Sequence, residues 1–447
     1  MTKRIGIVIC NYNKKDMALE CIEHILAQTY TDYALYVVDN ASTDGSADAI
    51  RTAYDGKLTL LRNSENLGGS GGFNTGLRWA HGKGHPYLMC VDNDAMLDKD
   101  AVGELLHFLE EHGECGMAAS KVYHLEEPEY VQNYGQRIDF EHFCTEVDDL
   151  NRLEDGSMPE YVYVDSVPAC SLLVRRETVD RIGFLPEENF LYWDDTEWCL
   201  RCNRAGMKVA SVGASKAYHA MGAKKEDVNT FPTYYAWRNW ITFFIKYTPD
   251  ERLVDMAMQF LSSVYEVQFV GWYNDVYRKA DTVMGAYDDA LHQVTGKARE
   301  GRIFEIDLPG QHYEDFFAQY SSVCIAKNGF YELAGHIRKL ADRYGGTKTT
   351  VTLIASADGE DASDIGQADK TGSIAFLYLC RGFLHERIPD ISIPSGHTAL
   401  FWDVDDCIVP FTDQPGLQQD FIRGRELFIF SQLPMFLRQT RLIRSEL

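Results

Sequence analysis

The chain has 447 residues, with 67 acidic against 43 basic side chains and a net charge of −24. That length allows two or three domains and a large core. The charge argues against non-specific nucleic-acid binding, which needs Lys and Arg to neutralise phosphates. Eleven cysteines without small-scaffold spacing fit reduced thiols better than a disulfide framework.

Met1-Thr2-Lys3-Arg4 runs directly into Ile5–Cys10, an apolar run too short for a signal-peptide core, so a cytoplasmic chain is expected. No apolar stretch is long enough to span a bilayer; peripheral contact with the inner face of a membrane is the alternative. Ile5–Cys10 reads as a strand, Lys15–Gln28 as a helix, and Tyr33–Val38 as a second strand ending at Asp39. Ser46–Tyr54 is helical, Leu58–Arg62 strand-like, and Gly76–His81 opens another helix. Tyr87–Cys90 reads as a buried strand leading into Val91-Asp92-Asn93-Asp94, and Asp100–His112 as an amphipathic helix. This alternation predicts an α/β sheet, whose ligands gather at the C-terminal strand ends, where Asp39 and Asp92 fall. Arg252–Tyr273 predicts a long helix. Strand signals return at Val351–Ala355, Ile374–Cys380 and Thr398–Val404, with loops at Gly345-Gly346 and Asp358–Asp369. The predicted division is an α/β domain over 1–248, a helical segment over 249–300 and a smaller α/β or α+β subdomain over 301–447.

Asp92 and Asp94 alternate with Asn93 along a strand end and so point the same way. Two such carboxylates repel unless a cation lies between them, and oxygen ligation favours Mg²⁺, Mn²⁺ or Ca²⁺. Asn66–Gly76 holds four glycines in five positions (Gly68, Gly69, Gly71, Gly72) and predicts a loop whose N–H groups can face oxyanions. It fits neither a dinucleotide fingerprint nor a Walker loop. Asp39-Asn40-Ala41-Ser42-Thr43-Asp44-Gly45 reads equally as a turn with a helix cap or as a site for a nucleobase or ribose. Trp193-Asp194-Asp195-Thr196-Glu197 opens a helix with more acid than capping needs. Its neighbours Phe190, Tyr192 and Trp193 suit the faces of sugar rings. Cys199 and Cys202 fall in this helix beside core positions and have no second pair, which speaks against zinc. His219, at a strand end, is structural or a metal ligand according to context.

Taken in order, these pieces resemble the family 2 glycosyltransferases of GT-A fold over roughly residues 3 to 245. The matching features are Ile7–Asn13, Val37–Ser46, Asn66–Gly76, Asp92-Asn93-Asp94, Trp193-Asp194-Asp195 and His219. The resemblance implies inverting transfer from a nucleotide sugar with Mn²⁺ or Mg²⁺ as cofactor. It also implies metal ligation by Asp92, Asp94 and His219, with Asp195 as general base and Asp194 and Glu197 beside it. Asn11, Asp39, Asn66, Gly68, Gly69 and Asp92 are the implied donor contacts, and Trp193 and Tyr192 line the acceptor side. Arg238, in Tyr234-Tyr235-x-x-Arg238-Asn239, is read either as a phosphate contact or as helix packing. The glycine-rich segment and Trp193-Asp194-Asp195 are most similar to the galactofuranosyl and rhamnosyl branches. The implied donor is UDP-galactofuranose, with dTDP-rhamnose as the alternative, and the implied acceptor a glycan or lipid-linked glycan. Nucleotidyl transfer and a non-catalytic binding module are the other classes weighed. Residues 423–447 carry five arginines against two acids among apolar residues. Packing on the core or on a second subunit is the preferred reading there, over contact with an anionic membrane.

Overall fold

Ile5, Ile7, Val8 and Ile9 have no exposed surface, because the first strand lies inside a sheet covered on both faces. The computed structural model describes residues 2–220, 229–274, 277–306, 310–320, 322–327, 329–345, 350–354, 374–389, 397–404 and 406–446. The predicted Asp358–Asp369 loop and Gly346 lie outside them. The chain divides into two compact units, Met1–Phe260 with Thr282–Phe304 and Met435–Leu447, and Leu261–Asp281 with Glu305–Pro434.

The first unit begins β1 (Ile5–Asn11), α1 (Lys15–Leu26), β2 (Tyr33–Asp39), α2 (Ser46–Ala53), β3 (Thr59–Arg62), α3 (Gly68–Gly82) and β4 (Tyr87–Asp92). It continues through β5 (Ala95–Leu97), α4 (Ala101–Glu111), β6 (Cys115–His124), β7 (Tyr130–Asn133), β8 (Arg137–Asp139), β9 (Cys144–Glu146) and β10 (Arg152–Leu153). Then follow β11 (Tyr161–Val164), β12 (Ser171–Arg175), α5 (Arg176–Ile182), α6 (Asp194–Arg204), β13 (Lys208–His219) and α7 (Phe231–Tyr247). The main sheet runs β10-β7-β6-β12-β4-β1-β2-β3, with β13 alongside β6. β1, β2, β3 and β4 are parallel, and β12 is antiparallel between β4 and β6. One core, built with α1 and α4, covers one face, and a second, built with α3 and α6, covers the other. This is a mixed α/β architecture, as expected from the sequence. Its parallel strands end together at Asn11, Asp39 and Asp92, which defines one reactive edge.

One local expectation is corrected. The glycine-rich segment is not a loop before a helix at Gly76, because α3 already begins at Gly68. Glycine costs a helix about 1 kcal/mol per residue, and close packing against the sheet overrides it. A Cβ on Gly72 would lie 2.3 Å from Cys10 Sγ, and one on Gly76 would lie 2.3 Å from Val8 Cγ1. His219, read as ending a short strand, ends the twelve-residue β13.

Two further helices, α8 (Leu253–Tyr273) and α9 (Tyr277–Leu291), precede α10 (Gly310–Gln319), β14 (Ser322–Ala326), α11 (Tyr331–Tyr344), β15 (Thr350–Ile354) and β16 (Ile374–Cys380). The chain closes with β17 (His397–Asp403), β18 (Ile408–Pro410) and α12 (Gln414–Glu446). The second unit has its own sheet, β15-β14-β16-β17-β18, parallel except for β18. In the first unit Phe436 is buried against Phe260 and Tyr287, and Arg444 pairs with Asp250 at 3.0 Å. In the second unit Leu427 and Phe430 are 67% and 83% exposed. No helix among the described residues is long and apolar enough to cross a membrane.

Candidate active site

The end of β4 and the end of β13 bring Asp92, Asp94 and His219 together, with one ligand atom from each all within 4.8 Å of one another. His219 Nε2 lies 3.3 Å from Asp94 Oδ1 and 3.8 Å from Asp92 Oδ2. Gln132, on β7, fixes the imidazole: its Oε1 is 2.8 Å from Nδ1, and its amide donates to the His219 carbonyl at 3.1 Å. A partner on one ring nitrogen orients the other toward a metal. The second Asp94 oxygen meets Lys14 Nζ at 2.5 Å. Burial and the neighbouring Asp94 charge push the Asp92 carboxyl up to about 6. Burial pushes Asp94 up as well, but the His219 hydrogen bond and the Lys14 ammonium outweigh it and hold Asp94 down at about 2. Burial opposes the His219 imidazolium, yet its two carboxylate neighbours raise it above the ordinary range. Two carboxylates and an imidazole are a donor set that fits a divalent ion.

Beside this corner, Asp39 ends β2 fully buried, and neither of its carboxylate oxygens has a hydrogen-bond partner. A buried carboxylate without a hydrogen-bond partner is costly; the Arg62 guanidinium, at 3.6 Å, softens the cost. Asn11 is also buried, its amide reaching Ser42 Oγ at 3.3 Å and its oxygen accepting from Asn93 at 2.7 Å. Asn40 organises the next turn. Its amide donates to Asn66 Oδ1 and the Gly68 carbonyl, and its oxygen accepts from Asn63 and the Leu67 N–H. Gly68 has φ 76°, and a Cβ there would fall 2.1 Å from the Phe190 carbonyl oxygen. Gly68 and Gly69 form the first turn of α3.

The second acidic cluster is presented by strained backbone. Phe190, Tyr192 and Trp193 all have φ of 64–65°, a conformation bulky residues adopt only when their surroundings impose it. Asn239, on α7, imposes it by donating to the carbonyls of Asn189, Leu191 and Tyr192. Arg238 is buried under the Gly296 and Asn189 carbonyls at 2.7 and 2.8 Å. Asp195, in the first turn of α6, accepts the N–H of Thr196 at 2.7 Å and that of Ala169 at 3.3 Å. Burial raises the Asp195 carboxyl above the ordinary range in spite of these bonds. Burial and the Asp195 charge push Asp194 up to about 8, with Asp92 adding to it. Glu197 is buried toward α7, where it accepts from Tyr247 OH at 3.0 Å and pairs with Lys246 at 3.4 Å. Trp193 packs against Phe243 and Phe244, and Tyr192 is 42% exposed.

Asp92, Asp94 and His219 therefore converge, Asp39 and Asn11 line the same strand edge, and Asp194 feels the charge of Asp92. Arg238 and Glu197 hold α7 to the loop and to α6. Sequence reading missed Lys14 and Gln132, and quoted Asn40 and Asn239 only as members of motifs, without the bonds they make. Lys14 was visible as a cation just past the first strand; Gln132 lies 87 residues before the histidine it orients and left no local signal.

Residues 6–161 match the family model described as Glycosyl transferase family 2. The chain is 24% identical over 229 residues to the UDP-Glc:alpha-D-GlcNAc-diphosphoundecaprenol beta-1,3-glucosyltransferase WfaP of Escherichia coli, covering 51% of this chain and 81% of that protein. It is 24% identical over 234 residues to the dTDP-rhamnosyl transferase RfbF of Shigella flexneri, covering 51% and 73%. Over 211 residues it is 24% identical to the galactofuranosyltransferase GlfT2 of Mycolicibacterium smegmatis, covering 44% of this chain but only 32% of that one.

Proposed function

We propose that this chain, whose residues 6–161 match the glycosyl transferase family 2 model and which is similar to glycosyltransferases, moves a sugar from a nucleotide-sugar donor to a hydroxyl of a glycan or lipid-linked glycan. The observation that carries this reading is the meeting of Asp92, Asp94 and His219 at the parallel strand ends, with Asp194 and Asp195 electrostatically linked to them. Asp39 accepts from the base or ribose of the donor, and Asn11 and Asn40 shape the same wall. Asp92, Asp94 and His219 hold a divalent ion, Mn²⁺ or Mg²⁺. Bound there, the ion neutralises charge growing on the departing diphosphate. Asp195 takes the proton of the acceptor hydroxyl as that oxygen attacks the anomeric carbon from the opposite face. Burial and the Asp195 charge push Asp194 up to about 8, so Asp194 is the member of the pair that holds a proton more readily, which suits Asp195 as the base. Trp193 and Tyr192 offer the acceptor an aromatic wall.

UDP-galactofuranose is the proposed donor, supported by the likeness of the glycine-rich and Trp193-Asp194-Asp195 segments to that branch; dTDP-rhamnose is the second reading, favoured by the longer match to the rhamnosyl transferase. For a lipid-linked acceptor, the exposed Leu427 and Phe430, within the arginine-rich 423–447 segment, would meet an anionic bilayer. The enzyme is tested by incubating it with Mn²⁺ and a panel of nucleotide sugars and measuring released nucleoside diphosphate. Release that requires UDP-galactofuranose supports the first reading and release from dTDP-rhamnose the second. Pyrophosphate formed from a sugar phosphate and a nucleoside triphosphate would overturn both.

A further inference from the structure

Apart from the metal corner, the first unit carries a groove of about 580 Å³ bounded by α4, β6, β11, β13 and residues 154–160. None of its lining residues belongs to the site described above. Its volume lies within the range of small-ligand sites, about 300–1,000 Å³. One wall is aromatic and already assembled. Phe108 stacks on His112 with centroids 4.2 Å apart, and Tyr161 leans on both at 5.2 and 4.9 Å. Tyr161 nevertheless leaves 36% of its surface exposed. The charged lining holds four carboxylates, Glu104, Glu111, Glu154 and Glu160, against Lys121 and Lys216, with His107 and His112 beside them. Lys121 is buried in the same lining, but its charge is held by Glu154, which also accepts from Tyr123 OH at 2.8 Å.

These features select a ligand by elimination. An excess of carboxylate repels phosphates and nucleotides, so the donor has no second site here. A purely apolar ligand would leave the carboxylates desolvated without partners. A neutral ring with an apolar face and a hydroxylated edge satisfies both walls: the face covers Tyr161, and the hydroxyls donate to the glutamates. We infer that this groove binds a segment of neutral glycan, apart from the reacting sugar. Lys216, in its lining, precedes His219 by three residues on β13, about 10 Å along an extended strand. That the glycan is the acceptor or product chain rests on the transferase reading; that the groove takes a neutral glycan does not.

The test is a titration of the full chain with synthetic galactofuranose and rhamnose tetrasaccharides, followed by saturation-transfer NMR, with UDP plus Mn²⁺ titrated in parallel. Asp195→Asn should bind the tetrasaccharide as the unaltered chain does. Tyr161→Ala should weaken it by about tenfold or more and Glu111→Gln by less, with UDP affinity unchanged in both and serving as the check on folding. Tetrasaccharide binding without UDP binding would count against the transferase reading while supporting the groove. Absence of tetrasaccharide binding where UDP still binds would overturn the inference. So would binding that is lost in Asp195→Asn but indifferent to Tyr161→Ala.

Discussion

Asp94 and Asp194 are both largely withdrawn from solvent, yet one carboxyl is held down at about 2 and the other pushed up to about 8. The difference lies in what each is given. Asp94 is bracketed by His219 and Lys14, so its charged form is favoured. Asp194 and Asp195 have backbone amides and each other, and burial prevails over those amides. A favoured anion suits a metal and a diphosphate; a carboxylate pair sharing protons suits proton transfer. In the proposed reading, the strand ends thus carry a charge-holding corner and the start of α6 a proton-handling one.

That contrast can be broken at either corner. Asp94→Ala should abolish measurable Mn²⁺ binding in calorimetry, a larger loss than the 10–100-fold, roughly, that follows removal of a metal ligand's orienting partner. Gln132→Ala should show that smaller loss, because His219 keeps its place but not its tautomer; unchanged Mn²⁺ affinity would show that the orientation is set elsewhere. Asn239→Ala should act only on the other corner. It frees three loop carbonyls and should cost about 1–3 kcal/mol in denaturant unfolding, lowering transfer while leaving Mn²⁺ affinity intact. The smallest effect is expected from Asp194→Asn. It mimics the protonated acid that Asp194 favours, so transfer at pH 7 should stay within about tenfold. The same neighbour effect predicts that Asp194 itself titrates lower in Asp195→Asn, read from its carboxyl carbon by NMR, because only burial and the Asp92 charge then hold it up.

Much of this was legible in the residues because strand ends and helix starts are written locally. Asp39 and Asp92 were placed by the apolar runs before them, and the strand expected over Ile374–Cys380 matches β16. The glycine-rich segment misled for a physical reason. Its low intrinsic helix propensity was readable, whereas the packing of Gly72 on Cys10 and Gly76 on Val8 was not. Glu197 looked like part of the reactive cluster; two residues past Asp195, it stands on a different side of α6 from that residue and reaches Lys246 and Tyr247. The left-handed run at Phe190, Tyr192 and Trp193 is likewise imposed by Asn239 from about fifty residues away, and no local pattern announces it.

The separation of the two corners is tested most directly by titrating UDP with Mn²⁺ into Asp195→Asn while assaying sugar transfer by the same preparation. The account predicts unchanged nucleotide affinity with transfer reduced by about 10²–10⁴-fold. Loss of nucleotide affinity together with transfer would place Asp195 in donor binding and contradict it.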